Sequence, residues 1–181
     1  LMSENKDLST EYVEYADVIQ SSGQGLLGLI DEILDLSKIE AGKMKLEFGD
    51  FSVNEVLTDM KSLFEPLAKN KGLELVIDVA TNVSIINTDK MRLEQILKNL
   101  LSNAIKFTSQ GKVSLTVKRD DANRFTLFKV TDTGIGIPDD KLGLIFEAFQ
   151  QADGSTRRKF GGTGLGLSIS RELAKLLGGK I

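Results

Sequence analysis

Asn99-Leu-Leu-Ser-Asn103-Ala-Ile-Lys106-Phe-Thr108 combines two amides and a lysine with the apolar spacing of a helix. At about 100° per residue, the apolar side chains form one stripe, which consists of Leu93, Leu97, Leu100 and Ala104. Asn99, Asn103 and Lys106 gather on a separate face. Asparagine disfavours a helix interior, so two of them predict a compensating role. A solvated face is the alternative interpretation of this segment taken alone.

Two glycine-rich segments follow in chain order. Residues 132–138 read Asp-Thr-Gly-Ile-Gly-Ile-Pro after a predicted strand, and residues 161–167 read Gly-Gly-Thr-Gly-Leu-Gly-Leu before a predicted helix. A carboxylate can accept a hydrogen bond from an adenine amino group, amides can hold hydrated Mg²⁺, and helix N-termini favour phosphate. Taken singly, the first segment could be a simple turn and the second a flexible linker. Together, the three segments predict a nucleotide site.

Composition narrows the class of protein. The chain has 181 residues, of which 41% are hydrophobic and 27% charged, as in an ordinary soluble globular protein. A net charge of −3 argues against a nucleic-acid partner. The absence of cysteine and histidine from the sequence argues against disulfides and zinc. With no signal-like or long apolar run, we expect a cytoplasmic chain whose membrane attachment, if any, lies in segments outside it.

Residues 9–37 predict one long helix, because no proline interrupts them and apolar residues recur at alternating three- and four-residue spacings. The recurring residues are Tyr12, Ala16, Ile19, Leu26, Ile30 and Ile33. Leu27 and Leu34 widen this stripe toward that of a helix in a four-helix bundle. A helix that packs on its own domain is the alternative. We therefore expect a helical unit at 1–43 and a second domain at 44–181.

The second domain alternates between strands and helices. Ser52 and Glu55 are spaced as a capping box for a helix that ends at Asn70, and Pro66 is expected to kink or interrupt its last turns. The other predicted helices are 89–107, 139–146 and 165–177, and the predicted strands are 45–51, 73–79, 83–87, 113–119 and 124–132. Residues 178–181 are expected to lead into a further strand.

The order of these segments resembles the ATP-binding domain of sensor histidine kinases. The asparagine box of that family matches residues 99–108, its two glycine boxes match 132–137 and 162–167, and its phenylalanine box matches 146–149. The resemblance implies an α+β fold: a two-layer α/β sandwich of the histidine kinase and Hsp90-like ATP-binding type, preceded by a bundle-forming helix.

The resemblance extends to the first part of the chain. Residues 34–42, Leu-Asp-Leu-Ser-Lys-Ile-Glu-Ala-Gly, resemble the end of the family's second dimerisation helix. Residues 149–153 and 156–162 are similar to the corresponding segments of bacterial hybrid sensor kinases. The expected first unit is therefore part of a dimerisation domain.

The resemblance also implies roles for individual residues. Asn103 would be a Mg²⁺ ligand, Asn99 would lie beside the phosphates, and Lys106 would pair with a phosphate oxygen. Asp132 would accept a hydrogen bond from the adenine amino group, which selects adenine over guanine. The other residues implied in cofactor binding are Phe107, Gly134, Gly136, Ile137, Phe149, Gly162, Thr163, Gly164, Leu165 and Gly166.

Residues 138–163 would form a mobile lid over the nucleotide. Phe146 and Phe149 would anchor it by packing on the domain. Arg157 or Arg158 would reach the γ-phosphate and complete a catalytic set with Asn99 and Lys106, although a solvated basic loop is the alternative for the two arginines.

The implied function is a kinase that uses ATP and Mg²⁺ to phosphorylate a histidine outside this chain, since the chain has none. That histidine and the first bundle helix are expected before Leu1, and further strands after Ile181. The implied partners are a second copy of the protein, through the bundle, and the receiver domain of a response regulator.

Two other functions stay open. A gyrase-type, Hsp90-type or mismatch-repair-type ATPase would need a helix carboxylate to activate water, and Asn99 stands in that place, where an amide cannot act as a base. A non-catalytic sensory scaffold would have lost its nucleotide residues, whereas they are present here.

Overall fold

A computed structural model describes residues 10–79, 83–120, 125–149 and 163–181. The chain divides into two compact units between Met44 and Lys45. In the part of the chain that the structure describes, no helix has the length and hydropathy needed to cross a membrane.

The first unit is the helix α1, Thr10–Glu40, which confirms the long helix predicted there. Its apolar stripe is open to solvent along its length: Ile19 is 72% exposed, Leu26 59% and Ile33 42%. Exposed apolar area of this extent is typical of a surface that another helix covers.

The second unit contains two small sheets. Strands β1 (Gly49–Ser52) and β3 (Ile85–Thr88) form an antiparallel pair. Strands β2 (Glu74–Val79), β4 (Lys112–Asp120) and β5 (Phe125–Asp132) form a mixed sheet in the order β2-β4-β5. In this sheet β2 lies parallel to β4, whereas β4 and β5 are antiparallel.

Helices α2 (Val53–Asn70) and α3 (Lys90–Phe107) pack on one face of the mixed sheet, and α4 (Gly166–Leu176) packs on α3. Short 3₁₀ turns occur at Asp139–Lys141 and Leu144–Phe146. On β4 the inward residues Val113, Leu115 and Val117 are completely buried, while the alternate residues Ser114 and Thr116 are half-buried. This period of two is that of a sheet with one covered face, and it confirms the predicted α+β class.

Four local predictions differ from the structure. Ser52 occupies the N-cap position of α2, but its side chain makes no capping hydrogen bond, so the predicted capping box does not form. Pro66 does not interrupt α2, which continues to Asn70; the carbonyl that loses its partner belongs to Ser62, an exposed residue that water can solvate. The helix expected over 139–146 is replaced by the two 3₁₀ turns, and the first strand is shorter than predicted.

Asp89 joins the start of α3 to the chain entering β1. Its Oδ1 accepts a hydrogen bond from the Arg92 backbone N–H at 3.0 Å, and its Oδ2 accepts one from the Glu47 N–H at 2.9 Å. The side chain is only 2% exposed, so neither donor can turn to bulk water without local opening. Asp89 therefore caps α3, and it also fixes a segment 42 residues away in sequence.

We expect Asp89→Ala to lower the free energy of unfolding by about 2 kcal/mol, because it removes an N-cap and leaves a second backbone donor unpaired. Asp89→Asn keeps one acceptor oxygen for the cap, so its loss should be about half as large. Urea denaturation of the three proteins measures both differences. Equal stability of all three would contradict this role of Asp89.

Candidate nucleotide-binding site

Helix α3 presents its two asparagines on one face. Leu97, Leu101 and Ala104 are buried and fix the rotation of the helix, which leaves Asn99 and Asn103 half-buried away from the core. The Asn103 Nδ2 donates a hydrogen bond to the Asn99 Oδ1 at 3.2 Å. The structure therefore brings the two amides together, as the helical spacing predicts.

The second glycine segment approaches the same amides. A Cβ added to Gly166 would collide with the end of the Asn99 side chain, so a larger residue there would displace the Asn99 amide from its present position. Just before α4, Gly164 has a φ of +74°, and the Thr163 Oγ1 accepts a hydrogen bond from the Leu165 N–H at 3.2 Å. Leu165 itself is completely buried, so it supports the start of α4 from within the protein.

Lys106 lies one turn beyond Asn103, near the end of α3. Its ammonium is 5.1 Å from the centroid of the Phe107 ring. Partial burial lowers the pKa of Lys106 below its ordinary value, because the charged form loses hydration. An ammonium in this position gains from an anionic ligand, which would restore favourable interactions that burial removed.

Lys71, which the sequence analysis did not single out, holds the end of α3. Its ammonium donates to the Ile105 carbonyl at 2.7 Å and to the Lys106 carbonyl at 2.8 Å. A cation at a helix C-terminus satisfies free carbonyls and complements the helix dipole. Lys71 follows α2 directly, so only the tertiary structure reveals this contact.

The first glycine segment is fixed to the same helix end. Asp132 pairs with Val113 in the β4–β5 register, which places the end of β5 close to the chain leaving α3. The Asp132 Oδ1 accepts a hydrogen bond from the Gly134 N–H at 2.9 Å, and the Ile135 N–H donates to the Phe107 carbonyl at 3.4 Å. The Asp132 carboxylate is exposed and retains an oxygen that can accept from a ligand.

A backbone hydrogen bond joins Phe149, inside the predicted lid, to Gly164, just after the lid's end. The Phe149 N–H donates to the Gly164 carbonyl at 3.0 Å. Phe149 has a positive φ of 63° and its side chain is 65% exposed, so it does not pack on the domain as an anchor. The prediction that this side chain packs on the domain was wrong: the backbone of Phe149, not its ring, makes the contact. Phe146 is half-buried, with the Arg171 guanidinium 5.9 Å from its ring centroid.

The remaining predicted site residues divide into two groups. Gly136 has a φ of +70° and Ile137 is 46% exposed, so both lie on the open side of the first glycine segment. Arg157, Arg158 and Gly162 lie outside the described residues.

The side-chain oxygens near Asn103 suit Mg²⁺ only if a bound nucleotide supplies phosphate oxygens as further ligands. The described residues contain no group of three or more acidic side chains that could hold a metal. Mg²⁺ prefers oxygen ligands and is commonly held by one or two protein groups together with phosphates and water. An amide oxygen from Asn103 suits that arrangement.

The family model for histidine kinase-, DNA gyrase B- and HSP90-like ATPases matches residues 88–181, just over half of the chain. The chain belongs to this family. The matched region contains both amides, the lysine, the aspartate and the two glycine segments described above.

Within this family, the chain is similar to histidine kinases. The chain is 46% identical over 171 residues to the circadian input-output histidine kinase CikA of Synechococcus elongatus, which covers 93% of the chain and 22% of the relative. It is 43% identical over 182 residues to hybrid signal transduction histidine kinase B of Dictyostelium discoideum, covering 98% and 9% respectively. The chain thus spans about a fifth of the length of the first relative and less than a tenth of the length of the second.

Solved structures agree with this placement. Full-length ShkA in complex with AMPPNP matches with a TM-score of 0.82 and 35% identity, covering 98% of this chain and 36% of that one. Histidine kinase ThkA in complex with the response regulator TrrA matches with a TM-score of 0.71 and 26% identity, covering 99% and 49%. The chain is an ATP-binding catalytic domain of the histidine kinase type, which confirms the predicted fold and family.

Gly134 offers a sharp test of the geometry. A Cβ there would lie 2.5 Å from the Phe107 carbonyl oxygen and 2.8 Å from the Asp132 Oδ1. We expect Gly134→Ala to push the segment off α3 and to weaken ATP binding roughly tenfold or more, a change of about 1.4 kcal/mol. Gly49→Ala is the matched control, because a Cβ at Gly49 has no atom within 4 Å. Calorimetric titration of both variants compares them, and equal affinities would contradict this arrangement.

Proposed function

We propose that this chain binds ATP and transfers its γ-phosphoryl group to a histidine outside the chain, for relay to an aspartate of a response regulator. The observation that best supports this proposal is the position of four side chains. Helix α3 presents an amide pair and a lysine, and the end of β5 places a carboxylate with a free oxygen beside the end of that helix. An acceptor outside the chain is required because the sequence contains no histidine.

In this proposal the site works by position and charge. The Asp132 carboxylate accepts from the adenine amino group, and Lys106 pairs with a phosphate oxygen. Asn103, with Asn99 beside it, holds Mg²⁺, which would neutralise phosphate charge when bound. Arg157 or Arg158 would supply further positive charge at the γ-phosphate. Transfer then depends mainly on holding the phosphate in line with the acceptor.

Hydrolysis by a gyrase-type mechanism is the weaker candidate. The Asn99 Nδ2 donates to the Ser170 hydroxyl at 2.9 Å, while its Oδ1 accepts from Asn103. Both polar atoms of the amide are therefore engaged, and an amide has no basic site to accept a proton from water.

The helix α1 supports a dimeric parent protein. Its exposed stripe suits a four-helix bundle formed with a second copy and an upstream helix, and the receiver domain of a response regulator would dock in the intact assembly. We also propose that the parent protein acts in the cytoplasm and that any membrane anchor lies in segments outside this chain.

The first test concerns nucleotide recognition. We expect Asp132→Asn to weaken ATP binding by about 1–3 kcal/mol, because a charge-assisted hydrogen bond is replaced by a weaker or mispaired one. Thermal unfolding of the free protein should change little, since the Asp132 side chain is exposed. Unchanged ATP affinity in the folded variant would show that Asp132 is a turn residue only.

The second test concerns phosphoryl transfer. Incubated with γ-labelled ATP, this chain should gain no acid-labile label, whereas a longer version that includes the preceding residues of the parent protein should gain it. The longer version should also be a dimer by light scattering. Acid-labile label on the present chain, or none on a folded dimer of the longer one, would defeat the kinase assignment.

A further inference from the structure

Ser170 lies behind the amide pair, on the second turn of α4. Its side chain is buried, with the residue only 2% exposed, and its Oγ accepts a hydrogen bond from the Asn99 Nδ2 at 2.9 Å. It cannot touch a nucleotide directly, because Asn99 stands between it and the open side of the site. Any influence of Ser170 on the ligand must pass through Asn99.

Two hydrogen bonds link the three side chains in series: Asn103 donates to Asn99, and Asn99 donates to Ser170. Because the Asn99 Nδ2 faces Ser170, its Oδ1 is left to accept from the Asn103 Nδ2 at 3.2 Å. The Asn103 amide then points its oxygen away from Asn99, where a cation can use it. If Asn99 turned over, its amino group would face Asn103 and engage the oxygen that a cation needs.

We propose that Ser170 is a positioning residue for Mg²⁺: by accepting from Asn99, it stabilises the orientation in which the Asn103 oxygen faces the metal. This inference rests on the proposed nucleotide function. A hydroxyl can also donate, so Ser170 tolerates either orientation of Asn99. Without the hydroxyl, the orientation competent for the metal would leave a buried N–H unpaired, and that cost would fall on metal binding.

The experiment compares valine and threonine at this position, because the two side chains share a shape and differ by the hydroxyl. The affinity for AMPPNP is measured by calorimetry on the 181-residue chain, with Mg²⁺ and with EDTA. The dissociation constant in EDTA divided by the dissociation constant with Mg²⁺ reports how strongly metal and nucleotide binding are coupled.

We expect Ser170→Val to reduce this ratio about tenfold, with affinity in EDTA within twofold of the parent. Ser170→Thr should keep the ratio within twofold, and Asn103→Ala should reduce it at least as much as Ser170→Val. If valine disturbs folding, Ser170→Ala provides the same comparison.

Ser168 supplies a matched control on the same helix. It is also buried, at 4% exposure, but its hydroxyl donates to the Leu165 carbonyl at 2.8 Å. Ser168→Ala should therefore leave the ratio unchanged. A side-chain amide NMR spectrum of the metal-free protein adds a readout that needs no ligand: the Asn99 resonances should shift in Ser170→Val and stay in place in Ser168→Ala.

Three results would overturn the inference: an unchanged ratio in Ser170→Val, an equal loss of affinity with Mg²⁺ and with EDTA, or a loss in Ser170→Thr that matches valine. The second would identify Ser170 as a packing residue. Failure of the unmodified chain to bind AMPPNP under either condition would instead overturn the proposed function itself, so the two failures are distinguishable.

Discussion

The rotation of α3 about its own axis controls the geometry of the site. Leu97, Leu101 and Ala104 are buried against the core, so the helix cannot turn without exposing them. A turn of one residue, about 100°, would carry the amides of Asn99 and Asn103 out of reach of α4. The ends of the helix are fixed as well, by Asp89 at one end and Lys71 at the other. Apolar packing thus sets the direction of the polar groups.

The two glycine segments both reach α3 through short-range contacts. The second glycine segment arrives by close packing, since a Cβ on Gly166 would collide with Asn99. The first arrives by hydrogen bonding, through the Ile135 N–H and the Phe107 carbonyl. The first segment is also closely packed, because a Cβ on Gly134 would lie 2.5 Å from the Phe107 carbonyl oxygen. Both glycine segments therefore lie directly against α3 or its end.

Periodic features could be predicted from the sequence, and tertiary contacts could not. The amide face follows from helical spacing, and the strand ending at Asp132 follows from alternation, because both depend on neighbours in the chain. Lys71 reaches a helix end 34 residues away, and Ser170 meets Asn99 across 71 residues, so no local pattern announces either. Ser52 and Pro66 had clear local preferences that the surrounding structure overrode.

The hydrogen bond between Phe149 and Gly164 also has a thermodynamic consequence for the length of the chain between them. It holds together two residues that are 15 positions apart in sequence, so their separation in space does not depend on what stands between them. For a flexible segment, doubling the number of residues adds only about 0.6 kcal/mol of closure entropy. A change in the number of residues between Phe149 and Gly164 should therefore cost the fold little, provided that this hydrogen bond is kept.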